Sequence, residues 1–144
     1  MAKRTTHIIF GIGLAAFLIE GEELIELLPA IFSAFLGTIL PDLDLRVLHR
    51  SLLHNIFVLG ITTIALHIMV ITTTYSSFTS NITLSYSIAY ASHILLDLLT
   101  GGVTPFYPLH KKKLCIISVG YDDFIVNSIM TVIGLTLIFL KIHH

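Results

Sequence analysis

Five apolar stretches, parted by short polar breaks, organise this chain. They run from about Thr5 to Ile19, Glu23 to Leu40, Ser51 to Tyr75, Ile82 to Leu99 and Phe124 to Ile142. A bilayer core of about 30 Å takes about 20 helical residues. The second to fifth stretches meet that length; the first is short and is expected to begin or end within the interface. Lipid leaves no water for an open backbone, so each stretch is expected to be a helix, although Thr and Ile favour strands. Glu20-Gly21-Glu22 makes the first turn. Pro41 ends the second helix, because the residue before proline is pushed out of the helical region. Ser76–Asn81 reads as a polar loop. Gly101-Gly102 and Pro105 close the fourth helix, and a long loop carrying Lys111-Lys112-Lys113 runs on to Asp123.

Composition agrees with that pattern. The 144 residues are 55% hydrophobic and 12% charged, against about 25% charged in a soluble domain. Mean hydropathy is +0.92. The expected fold class is all-α: a polytopic membrane protein, a bundle of about five transmembrane helices forming one domain over 1–144. A basic Met1–Arg4 precedes the first stretch, but no small-residue cleavage site follows, so that stretch is expected to be a retained helix. The single cysteine, Cys115, excludes an internal disulfide. Nothing points to nucleic-acid binding.

Charge placement suggests an orientation. With the N-terminus in the cytoplasm, Lys3, Arg4, Arg46, Arg50 and Lys111–Lys113 fall inside, and only Lys141 falls outside. This follows the positive-inside rule. Glu20, Glu22, Glu23 and Glu26 lie outside, and all five Asp lie inside. The expected location is the inner (cell) membrane, multi-pass, with a cytoplasmic N-terminus.

Two strings stand out in this oil: PDLDLRVLHRSLLH (Pro41–His54) and SHILLDLLTGG (Ser92–Gly102). No charged residue occurs between Arg50 and Asp97. An intramembrane carboxylate needs a partner or a task. The topology sets His7 at the start of helix one, Asp42 and Asp44 at the end of helix two, and His54 in the first turn of helix three. His93 and Asp97 fall in the last turns of helix four, and Asp123 opens helix five. All lie at one depth near the inner face. His93 and Asp97, four residues apart, share one helix face, the spacing by which a helix offers two ligands to one metal ion. Tyr86 and Tyr90 continue that face inward. Gly11, Gly13, Ala15, Ala16, Ser33, Gly37, Ser85 and Ala89 would let helices approach closely enough for short Asp and His side chains to meet.

These residues resemble the membrane-bound metal-dependent hydrolase family of bacteria and archaea, the YdjM-like inner-membrane hydrolases. Thr6-His7, Pro41-Asp42-Leu43-Asp44, His49-Arg50 through His54, Ser92-His93 with Asp97 and Thr100, then Gly102 and Pro105-Phe106 match its motifs in order. The match spans about 6–108. It departs at Ser51, Leu53 and Asn55, where the family has Gly, Thr and Ser. The resemblance implies a metal-dependent hydrolase and favours His54 as a ligand.

The expected ligand set is therefore His7, Asp42, Asp44, His54, His93 and Asp97. Six ligands exceed one tetrahedral site, so one or two ions are expected, two sharing a bridging Asp. Zn²⁺ suits the donors, with Mn²⁺ or Fe²⁺ as alternatives. The expected reaction is hydrolysis of a phospholipid or lipid-linked phosphoester at the cytoplasmic interface, with Asp44 as general base and Arg50 on the anionic group. Membrane lipids and a lipid-like substrate are the expected partners. Other readings stay open. The cluster can simply staple helices, or serve an ion carrier, and Arg50 can anchor to lipid headgroups. Asp123 reads better as a helix N-cap than as a ligand. Lys111–Lys113 read as contacts to anionic lipid. His67 is too deep to join the site and reads as a hydrogen-bonded core histidine.

Overall fold

The computed structural model describes residues 2–19, 24–44, 52–73 and 79–143, without the side chains of 24–26 and Asp44. Five helices form in it: α1 (Arg4–Leu18), α2 (Leu24–Ile39), α3 (Ile56–Thr73), α4 (Thr79–Thr100) and α5 (Phe124–His143), with a 3-10 turn over Leu40–Asp44 after α2. Among the described residues there is no strand, only an isolated bridge between Val103 and Leu114. The protein is thus all-helical, as its apolar pattern demands. Helices α3, α4 and α5 are long and apolar enough to cross a membrane. The 15 residues of α1 reach about 22 Å, and α2 is also shorter than a full span in its described extent.

The polar breaks act as physical stops. Pro41 lacks the N–H that an α-helical bond back to Gly37 requires, so the chain tightens into the 3-10 turn rather than continuing as α-helix. At the end of α4, Gly101 N and Gly102 N both donate to Asp97 O, at 2.9 and 2.6 Å. Gly102 takes φ +82°, a left-handed value that glycine adopts without strain. The following loop folds back over this helix end. Ile116, Ile117 and Val119 donate their N–H groups to the carbonyls of Leu98, Leu99 and Thr100, satisfying acceptors that a helix terminus leaves open.

The start of α3 corrects one expectation. The helix begins at Ile56, not near Ser51, so His54 precedes it instead of lying in its first turn. Asn55 is the reason. Its Oδ1 accepts from Phe57 N and Val58 N at 3.0 and 2.9 Å, an N-cap that fixes where the helix starts.

Helices α1, α2 and α4 pack against one another at the centre; α5 docks on α1, and α3 on α4. Small residues make the centre possible. A Cβ on Gly13 would overlap the Gly134 carbonyl of α5, and one on Gly37 would overlap the Tyr86 carbonyl of α4. Ala15, Ala34 and Ala89 meet in a buried cluster between α1, α2 and α4. Outward-facing positions of α3 and α5 are large and apolar, as on Ile61, Ile64, Ile125 and Val132, the face a lipid environment calls for.

Candidate metal centre

At the end of the bundle where α1 begins, five polar side chains converge. His7 comes from the second turn of α1, Asp42 from the 3-10 turn, and His54 from the residues before α3. His93 and Asp97 come from successive turns of α4. His7, His54, His93 and Asp97 are 0–2% exposed, while Asp42 is 11% exposed. Asp97 lies between two imidazoles: Oδ1 is 3.2 Å from His7 Nε2, and Oδ2 is 3.2 Å from His54 Nε2. His93 Nε2 is 3.5 Å from Asp42 Oδ1 and 3.8 Å from Asp97 Oδ2. The His7 and His93 rings stack with centroids 4.0 Å apart.

The tautomer of His93 follows from its surroundings. Its Nδ1 lies 2.8 Å from the Thr38 carbonyl, which can only accept, so Nδ1 carries the proton. The neutral ring then turns the Nε2 lone pair toward two carboxylate oxygens. Such a confrontation of acceptors calls for positive charge between them. A proton on Nε2 would draw the oxygens to about 2.7–2.9 Å, closer than observed. Donors sharing a tetrahedral zinc at about 2.0–2.1 Å stand about 3.3 Å apart, which matches the observed spacing better. Both Asp97 oxygens, both His7 nitrogens and His93 Nε2 are also buried without a well-formed hydrogen bond. Two donor triads can hold an ion: His7, His93 and Asp97, and Asp42, His54 and His93.

Second contacts hold the donors in place. Ala2 N donates to Thr100 Oγ1 at 3.1 Å, tying the start of α1 to α4. On the other side, Asn127 Oδ1 accepts from Lys3 N and Thr6 Oγ1 at 2.7 and 2.9 Å. Asn127 Nδ2 donates to the carbonyls of Tyr121 and Asp123. His7, next to Thr6, is therefore set by contacts from two helices. The Tyr90 hydroxyl donates to Leu53 O, steadying the segment that carries His54. Ile56 N donates to Pro105 O at 3.0 Å, tying that segment to the loop after α4.

Asp42 lies in the 3-10 turn that follows α2. Burial raises its carboxyl above the usual carboxylate range, while His7, His54 and Arg4 pull it down. The Arg4 Nε is 3.7 Å from Asp42 Oδ2, and Arg4 is 56% exposed.

Five of the six expected ligands thus lie together. The side chain of Asp44 and the whole of His49 and Arg50 fall outside the described residues. Asp123 stays out of the cluster and caps α5, its Oδ1 accepting from Val126 N at 2.9 Å. His67 contacts Thr83 Oγ1 at 3.2 Å and is exposed on the bundle surface, so it is hydrogen-bonded but not a core residue. Sequence reasoning missed Arg4 and Asn127. Arg4 precedes His7 by three residues and shares its helix face, and Asn127 is an isolated amide in an apolar stretch; both signals were present.

A helical membrane bundle with a buried His/Asp cluster at one end defines the class of protein. The chain matches the family model described as YdjM inner membrane protein over residues 1–143 and belongs to that family. No curated protein and no solved structure matches it.

Proposed function

We propose that this protein is a metal-dependent hydrolase working at the membrane interface, with an amphiphilic phosphoester, a phospholipid or lipid-linked phosphate, as substrate. One observation carries the reading: the His93 Nε2 lone pair faces Asp42 Oδ1 and Asp97 Oδ2 at 3.5 and 3.8 Å. A divalent cation resolves that arrangement, and Zn²⁺ suits a mixed imidazole and carboxylate set. Both triads include His93, and with Nδ1 on the Thr38 carbonyl only Nε2, with its single lone pair, is left to bind. They therefore describe one ion, held by His93 with donors from His7, His54, Asp97 and Asp42.

Bound there, the ion supplies Lewis acidity toward water and toward a phosphoryl oxygen. The protein's own groups do the rest. His7, His54 and His93 orient the donor set and exclude water around it. The Thr38 carbonyl fixes the His93 tautomer, the support a metal-bound histidine usually receives. Asp42 alone among the clustered donors reaches the surface. Asp44 and Arg50 keep the roles their sequence positions suggest, as base and anion contact. An amphiphilic substrate is favoured because the cluster lies at the end of apolar helices, where a headgroup and its acyl chains meet the protein together.

The test is metal analysis of protein purified without chelator, followed by assays on a panel of lipid and phosphoester substrates with added Zn²⁺ or Mn²⁺. The expected result is close to one ion per chain, lost in His93→Ala, and turnover that Asp97→Ala abolishes. Absence of metal from the native protein, or full retention in His93→Ala, would sink the reading. A ratio near two would overturn the single-ion assignment.

A further inference from the structure

We infer that Arg4, whose charge the positive-inside pattern already explains, is an anion-binding residue of this site in addition to Arg50 and recognises a phosphate-type group. The inference rests on the metal-site reading above. Approach comes first. Of the five clustered donors, four are 0–2% exposed and only Asp42 reaches the surface, at 11%. An incoming ligand therefore meets the cluster beside Asp42, where Arg4 lies with its Nε 3.7 Å from Asp42 Oδ2.

Charge comes second. Among the described donors, the two carboxylates of Asp42 and Asp97 balance one divalent ion, which leaves no surplus positive charge to draw in an anion. A cation at the mouth supplies it. The described cations elsewhere are differently placed: Lys3 Nζ pairs with Asp122 at 3.3 Å, and Lys141 Nζ donates to Ile19 O at the far end of α1. Lys111–Lys113 stand exposed on the loop after α4.

Geometry comes third. The Arg4 pair with Asp42 is long and 56% exposed on the arginine side, so it binds the guanidinium weakly. One edge faces Asp42, and the remaining N–H groups of the planar fork suit two oxygens of a phosphate. A lipid headgroup phosphate and free inorganic phosphate share this chemistry, and separate arms of the test distinguish them.

The experiment measures binding of inorganic phosphate, and of a short-chain phosphatidic acid, to Zn²⁺-loaded protein in neutral detergent by calorimetry. Wild type is compared with Arg4→Gln, Arg4→Lys and, as a neighbouring-charge control, Lys3→Gln. Loss of a charge-assisted contact should weaken both ligands about 10- to 100-fold in Arg4→Gln. Arg4→Lys should recover part of that, Lys3→Gln should stay near wild type, and Zn²⁺ affinity should stay within about twofold in all. Headgroup recognition predicts that phosphatidic acid binds more tightly than phosphate while losing the same factor. Equal binding by Arg4→Gln and wild type, an equal loss in Lys3→Gln, or a Zn²⁺-loaded wild type that binds neither ligand would overturn the inference. A wild type that takes up no metal would overturn the metal reading instead.

Discussion

His93 Nδ1 donates to Thr38 O across 2.8 Å, and everything distinctive about the cluster follows from which nitrogen is left. Residue-scale tests belong beside that contact. Asn127 receives Lys3 N and Thr6 Oγ1 and gives two N–H bonds to the turn before α5. Asn127→Leu should lower stability by about 1–3 kcal/mol, since it strands buried partners. It should also weaken Zn²⁺ binding about tenfold by loosening His7. Thermal unfolding in detergent and competition with a chelating dye would measure the two effects. Unchanged metal affinity in a destabilised variant would make Asn127 purely structural. Asn55→Ala removes the α3 cap and should cost about 1 kcal/mol, read by the same unfolding assay. The clustered residues were legible in the sequence because Asp and His are expensive in an apolar stretch and their expected depths coincided. Asn55 stood out in the sequence only as a departure from the family motif; its capping role lies in backbone contacts that spacing does not show.

At the scale of elements, the apolar pattern gave five helices because lipid permits little else. Their ends were less legible. The α2 stretch was expected to end at Pro41 and its helix does stop at Ile39, but the 3-10 turn that follows and presents Asp42 was not foreseen. Proline announces a stop but not what geometry follows it. The α1–α5 contact was hidden too. Gly13 had been marked as a small residue that would let helices approach, but its partner Gly134 had not. Gly13→Leu should push the two helices apart and destabilise the protein by about 1–3 kcal/mol. Gly60→Leu, at a site with nothing within 4 Å, should be near neutral. A difference in melting temperature between these variants checks the packing, and equal melting would contradict it.

For the whole molecule, donors from α1, the turn after α2, the segment before α3 and α4 must meet before an ion can be held. Metal should therefore stabilise the assembled bundle. Adding Zn²⁺ at about 100 times its dissociation constant should contribute about 2.7 kcal/mol, seen as a rise in melting temperature that EDTA reverses and His93→Ala lacks. A melting temperature indifferent to both additions would count against the linkage. The contacts that clamp α1 also set an order of events. Thr6 and Asn127 are 121 residues apart in the chain. At about 5–20 residues per second of synthesis, the first helix waits roughly 6 to 24 seconds for the amide that fixes its register. During biogenesis, then, His7 is made before any of its neighbours exist, and its support from Asn127 arrives only after every residue of the cluster has been translated.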